Sequence, residues 1–423
     1  MNPRTTILVP AFASFMVTSA GFAQDAPVPR MTILDRNLQR LTGELERLNP
    51  STIQYLDPAG RSRSIERSRV LAIYSTRGHA ASIPSAIATG EGGSGIPGVL
   101  RLTDGQVVPG FLVPTDNPGE NVSWRSRRIG PFSVPLDRTS SLLLTESIQE
   151  PASPQRDAAI LGNSDRVEGF VEGIGTQLII ESDGSSDGKS SGKKASFPIE
   201  RVGWIGLANQ PAPGSMPLVF LSDGSVLATT ELASSSPTGK AASDRTATAQ
   251  WALASETGTG VIDLEAIDAI LFDPRSIVPL ATISPVKVTG TEGRRWTPTP
   301  DVSRTDATPI GLASITISGP AQVEWTLPAG SAKFGTSVSL PPQAAPWGNA
   351  AVVVSAAGAS GVFKEVAKAD LTAEKPSSEI VADIPNTKTL RIEVKGKAYS
   401  DVQAQVVLRQ PIVLRKAESL KRP

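Results

Sequence analysis

Few side chains in this chain could do chemistry. Trp347 lies in Pro346-Trp347-Gly348-Asn349, a turn-forming string that puts an aromatic ring and the Asn349 amide on one loop. An exposed indole stacks on the apolar face of a pyranose, so Trp347 and Asn349 are candidate ligand-binding residues, with a loop anchor packed against its own domain the equal alternative for Trp347. Trp296 follows Arg294-Arg295 and is a third candidate, although core or edge packing, as a cation–π pair, explains it better than binding. Trp325 falls in the alternating string Val323-Glu324-Trp325-Thr326-Leu327 and reads as core. Trp204 reads as core as well.

Catalysis has little to work with. There is no cysteine, which excludes disulfides, thiolate nucleophiles and Cys-ligated metals. The one histidine, His79, sits in a Gly/Ala/Ser stretch unsuited to a rigid base and cannot build a His-rich zinc site. Asp183-Gly184-Ser185-Ser186-Asp187-Gly188 opens like a calcium loop, but position 12 is Lys194 instead of the bidentate Glu. No carboxylate pair for glycoside hydrolysis stands out. We therefore expect a non-enzyme without cofactor or metal. With 41 basic and 41 acidic residues the net charge is zero, which argues against nucleic acid as partner.

These residues are carried by a chain of 423 residues, long enough for several cores. Arg4, an apolar run over 7–17 and small residues at Gly21 and Ala23 predict a signal peptide over 1–23. The run is short of the roughly 20 residues of a membrane span. The expectation is an exported, periplasmic or extracellular protein without membrane anchor.

After the signal, short alternating runs bounded by Gly, Pro, Asp and Asn predict an all-β fold. Residues 99–108 form a hairpin about Asp104-Gly105, and 218–227 form another about Asp223-Gly224, each expected as a type I′ turn. Residues 160–171 and 32–41 echo them, and Gly43, Gly110 and Gly169 follow in three copies, with Thr230 in the fourth. A second echo is Ile65-Glu66-Arg67, Leu136-Asp137-Arg138, Ile199-Glu200-Arg201 and Leu264-Glu265-Ala266. The recurrent acid suggests a structural role in pairing with arginine. Four units are expected, at 31–75, 98–146, 158–208 and 217–273. Their pattern resembles small SH3-like or Sm-like barrels.

Residues 279–414 show longer strands with strict alternation, a two-sheet antiparallel sandwich. The order of elements resembles the carbohydrate-binding-module family called NPCBM, found beside glycosidase domains and in many exported planctomycete proteins. The resemblance runs through Pro285-Val286-Lys287-Val288, Arg294-Arg295-Trp296-Thr297-Pro298, Asp301 and Pro309-Ile310-Gly311-Leu312. It continues through Ile315, Val323–Pro328, Phe334, Val338, Ala351–Val354, Ile380–Ile384 and Lys388–Val394. It implies a jelly-roll-like β-sandwich that binds a polysaccharide. The family's histidine after a Gly-Leu-Gly motif is missing near Ile317-Ser318-Gly319-Pro320. Its paired aspartates are replaced by Pro341-Pro342-Gln343, and its late Asp/His/Trp segment is reduced to Ala398-Tyr399-Ser400-Asp401. Two functions follow as expectations. One is binding of a glycan or envelope component through the sandwich. The alternative is a structural or protein-interaction scaffold that works through the β units, with an envelope protein as partner. The tail, 415–423, is basic and reads as solvated.

Overall fold

The structure is a computed structural model that describes residues 30–75, 95–126, 128–148, 151, 154–182, 193–211, 214–234, 246–253, 256–290, 298–303, 305–396 and 404–416. The segment 1–23, His79, the Asp183 loop, Trp296, Tyr399 and the tail beyond Lys416 lie outside the described residues. The fold is all-β, with antiparallel sheets.

One arrangement recurs four times. Unit 1 holds β1 (Met31–Asp35), β2 (Arg40–Leu48), β3 (Thr52–Leu56), β4 (Ser62–Glu66) and β5 (Val70–Ser75). Unit 2 holds β6 (Ile96–Leu102), β7 (Val107–Leu112), β8 (Asn121–Ser126), β9 (Gly130–Pro135) and β10 (Thr139–Leu143). Unit 3 holds β11 (Asp157–Leu161), β12 (Arg166–Ile174), β13 (Gln177–Ser182), β14 (Lys193–Pro198) and β15 (Val202–Gly206). Unit 4 holds β16 (Leu218–Leu221), β17 (Val226–Ser234), β18 (Thr246–Leu253), β19 (Glu256–Asp263) and β20 (Ile267–Leu271). In each, the first strand pairs with the second and the fifth, and the second, third and fourth follow as a meander. A single 3-10 turn joins fourth to fifth strand.

The opening hairpins share one turn, and it differs from the type I′ expectation. Gly105 N–H donates to Leu102 C=O, Leu102 N–H donates to Gln106 C=O, and only Gly105 has positive φ. Three residues connect the strands, so a type I turn followed by one left-handed residue satisfies the twist. Leu38, Ser164 and Gly224 hold the same left-handed position with the same two bonds.

The recurrent glycine also has one cause. A Cβ on Gly43, Gly110 or Gly169 would lie 2.4, 2.2 or 2.4 Å from the carbonyl oxygen of Leu56, Arg125 or Glu181 across the sheet. Only a residue without a side chain permits that approach. In unit 4 the same place, five residues after the left-handed turn residue, is held by the buried Thr229 and not by Thr230, and the register of β17 on β18 shifts directly after it.

The second echo lies out of register in unit 1. The 3-10 turns are Arg67–Arg69, Leu136–Arg138, Ile199–Arg201 and Leu264–Ala266. Arg67 thus occupies the place of Leu136, because Ile65-Glu66 belongs to β4, where Ile65 pairs with Ile53. Asp137, Glu200 and Glu265 are exposed, and among the described residues no ion pair joins them to arginine.

The fifth strands bind the units together in two seams. β5 pairs with β20 through Ile73↔Ile270, and β10 pairs with β15 through Leu142↔Ile205. All four residues are fully buried and hold one repeat position. Each seam is therefore a local pseudo-two-fold, joining unit 1 to unit 4 and unit 2 to unit 3. Leu143 faces Trp204 across the second seam, within a small core of Val99, Ile148 and Ala158.

The C-terminal region packs two sheets face to face. Its strands are β21 (Ile277–Pro279), β22 (Lys287–Gly290), β23 (Asp301–Val302), β24 (Ile315–Ser318), β25 (Ala321–Thr326), β26 (Ser331–Ser339), β27 (Ala350–Ala357), β28 (Phe363–Leu371), β29 (Ser377–Asp383), β30 (Thr389–Gly396) and β31 (Gln405–Arg415). One sheet runs β23-β24-β31-β26-β29, with β21 also on β31, and the other runs β22-β25-β30-β27-β28. Trp325 is buried in the core between them with Phe334, Val352 and Ile392, as its alternation predicts.

The sandwich joins the repeats through a buried cluster in which Leu38 and Tyr74 meet Ile310, Leu312 and Ile412. Leu38 fits against Gly335, where a Cβ would come within 2.8 Å of the leucine. Gln410, in left-handed conformation (φ 46°), accepts Arg40 Nη2 at its carbonyl (2.9 Å) and the Tyr74 hydroxyl at Oε1 (2.8 Å). Burial pushes the Tyr74 phenol above its ordinary value.

Candidate functional site

Residues 340–349 cross from β26 in one sheet to β27 in the other, at one end of the sandwich. Three prolines restrict the link, and its own backbone folds it. Ala344 and Ala345 N–H both donate to Pro341 C=O at 2.9 Å. Trp347 and Gly348 N–H donate to Ala344 C=O at 3.1 and 2.6 Å. Leu340 and Ala344 are buried beneath the loop. A Cβ on Gly348 would lie 2.6 Å from Leu340 Cδ1 and 2.8 Å from Ala344 O, so this turn needs glycine.

The result is an anchored loop that keeps Trp347 71% exposed. An exposure this high leaves the ring off the core of its own domain, unlike a loop anchor, which buries its ring. Asn349 is half-buried two residues on, at the root of β27. Trp296, the third expected residue, is outside the described residues. The strand end before its segment, Gly290, pairs with Ala321 at the same end of the sheet as Gly396 and Ala350.

A hollow of about 330 Å³ opens at this end, lined by Thr289, Gly290, Pro320, Gln322, Glu393 and Lys395 among others. Gln322 Nε2 donates to Glu393 Oε1 at 3.1 Å, and Lys395 Nζ lies 3.1 Å from Glu393 Oε2. Amide, carboxylate and ammonium side by side suit hydroxyl groups, which both donate and accept. Among the described residues no group of three or more His, Asp or Glu is placed to hold a metal ion, and no helix is long and apolar enough to cross a membrane.

A larger cleft, absent from the sequence reading, lies between units 2 and 3. It measures about 760 Å³ and is bordered by Leu136, Leu207 and Phe170, with Glu120, Asp137 and Asp157 among its polar lining. Phe170 is 63% exposed. Its position directly after the recurrent Gly169 was the one available signal, because β12 passes from β11 to β13 at that glycine.

No family model matches the chain, and no curated protein matches it. Solved structures do. One is the CBM51-2 and INT domains of Clostridium perfringens ZmpB, at 12% identity over 46% of this chain and 44% of that one, with a TM-score of 0.27. Another is CBM51 from Clostridium perfringens GH95 in complex with methyl-galactose, at 12% identity over 33% and 99% of the chains, with a TM-score of 0.26. A third is the tandem CBM51 modules of Sp3GH98 from Streptococcus pneumoniae, at 11% identity over 75% and 88%, with a TM-score of 0.27. The chain spans less than half of the first of these. Likeness at this level attaches no function to the chain.

Proposed function

We propose that the protein is a non-catalytic, exported binder of a glycan or other envelope component, working through the Trp347 end of an NPCBM-like sandwich. The observation that carries this reading is the anchored, 71% exposed Trp347. A flat indole held out on a loop that cannot collapse offers a stacking face at low entropic cost. The hollow holding Gln322, Glu393 and Lys395 supplies hydroxyl partners at the same end. Calorimetry of the full chain against solubilised cell-wall polysaccharides tests the reading. Binding should weaken about 10-fold or more on Trp347→Ala, the loss typical of an aromatic anchor. Absence of binding to every glycan, or binding unchanged by Trp347→Ala, rejects the site.

The second reading, a protein-interaction scaffold that works through the repeats, is favoured by the cleft between units 2 and 3 and by its exposed Phe170.

A further inference from the structure

The two seams are built alike, and one of them shows what fits the other. In the seam of units 1 and 4, Phe272 N–H donates to Leu71 C=O at 2.9 Å, and Arg67 N–H donates to Ser51 C=O at 2.9 Å. In the seam of units 2 and 3, Leu207 N–H donates to Ser140 C=O at 2.9 Å, and Leu136 N–H donates to Glu120 C=O at 2.7 Å. These bonds equate Phe272 with Leu207 and Arg67 with Leu136. In the first seam the Arg67 guanidinium lies 5.0 Å over the Phe272 ring and reaches Leu232 C=O at 3.5 Å. An internal arginine thus occupies the space between the units. In the second seam that position is Leu136, and the space is the cleft.

The open cleft is also charged to receive what the closed one holds. Glu120 and Asp137 stand where unit 1 has Ser51 and Ser68. Asp157 adds a third carboxylate, fixed by Val171 N–H at 3.0 Å and Ala208 N–H at 2.7 Å. Glu172 is paired to Lys194 at 2.6 Å, and among the described residues no lysine or arginine lines the cleft. Phe170 supplies the aromatic face that Phe272 supplies to Arg67. The lining thus offers anions and a ring to a planar cation. Beyond Gly169, β12 pairs with β13, while Val171 N–H is taken by Asp157 Oδ2 at 3.0 Å and Ile174 N–H by Gly119 C=O at 3.3 Å, so recognition in the cleft rests on its side chains.

We propose that the cleft between units 2 and 3 binds a partner protein through an arginine side chain. The arginine lies against Phe170 and Leu207 and is neutralised by Glu120, Asp137 and Asp157. The proposal is independent of glycan binding at Trp347.

The test uses the full chain and a fluorescein-labelled octapeptide alternating arginine and leucine, read by anisotropy at about 0.15 M salt, where distant charges are screened. A citrulline-for-arginine version keeps the shape and removes the charge. The arginine peptide should bind at least about 10-fold more tightly than the citrulline one, as expected for charge-assisted bonds. The double variant Glu120→Gln/Asp137→Asn should lose about 10-fold. Leu136→Arg should block binding by filling the cleft as Arg67 fills its counterpart. The double variant Glu200→Gln/Glu265→Gln removes two exposed acids elsewhere and should bind as wild type, as should Trp347→Ala. Equal loss in both charge variants, equal affinity for the citrulline peptide, or binding left intact by Leu136→Arg overturns the proposal. So does displacement of the peptide by spermine at equal concentration, which assigns a bare polycation site. Unchanged melting of each variant shows that a loss reflects the cleft rather than the fold.

Discussion

Units 1 and 4 meet as units 2 and 3 meet, at the same repeat positions and in the same register, yet the two seams are finished differently. The seam of units 1 and 4 is closed from within: Arg67 covers Phe272, and Leu48 N–H reaches across to Ser234 Oγ at 2.7 Å. The seam of units 2 and 3 spends its bulk on the opposite side, where Trp204 fills the position held by Ala269 in the other. Duplication of a small β unit therefore delivers two equivalent joints. Divergence at a few positions makes one a sealed interface and leaves the other with an open flank. The backbone sets where a site exists, and single side chains decide whether it is occupied.

The comparison can be broken most severely at Trp204. Trp204→Ala makes the second seam as sparse as the first at that position and leaves a void. We expect a loss of about 3–5 kcal/mol in urea unfolding, as for large buried aromatics. Ile270→Ala in the first seam removes a smaller group from a fully buried site and should lose about 2–4 kcal/mol. Leu38→Gly relieves the left-handed turn, worth about 1–2 kcal/mol, but forfeits about 1.5–3 kcal/mol of leucine burial against Gly335. The net expectation is a modest destabilisation by calorimetry, with loosening confined to the junction of repeats and sandwich by hydrogen exchange. Arg67→Leu copies the open seam into the closed one and should lose about 1 kcal/mol, the scale of one partly buried cation–π contact.

The smallest effect concerns acid. The Arg61 backbone N–H, aided by the Arg61 and Arg63 guanidinium groups and the Ala59 N–H, holds the Asp57 carboxyl down to about 2. A depressed folded value means that its contribution is present above the ordinary carboxylate range and is lost as pH falls through that range toward 2. Asp57→Asn should lower stability slightly near neutrality, where the wild-type carboxylate contributes, and the two proteins should converge as pH falls from about 4 toward 2.

Much of this was legible in the sequence, and the reasons for the remainder are physical. Alternation marked the strands of the sandwich and placed Trp325 inside, because a sheet with one buried face imposes period two on its residues. Asp104-Gly105 and Asp223-Gly224 marked the hairpins but misled on turn type, since the dipeptide suits either geometry and the connection length decides. Ile65-Glu66-Arg67 imitated the triplet of the later units two residues early. Only the pairing of Ile65 with Ile53 reveals that it still belongs to a strand. Pro346-Trp347-Gly348 announced an exposed ring because turn chemistry is local. The cleft between units 2 and 3 could not be read, because it exists only once β10 and β15 pair across some sixty residues of chain.

One turn has a further consequence. Of the four left-handed hairpin positions two are glycine and one is serine; the one that strains a leucine is the one pressed into the sandwich. With Gln410 locked to Tyr74 and Arg40 beside it, the junction is a weld rather than a swivel. The bearing of Trp347 from the rest of the molecule is then set by the fold, as the jaws of a caliper are set by its beam. Ligands held at the sandwich and in the repeats would meet at a fixed span, and a partner with matching spacing would gain avidity without the entropy loss of a flexible linker.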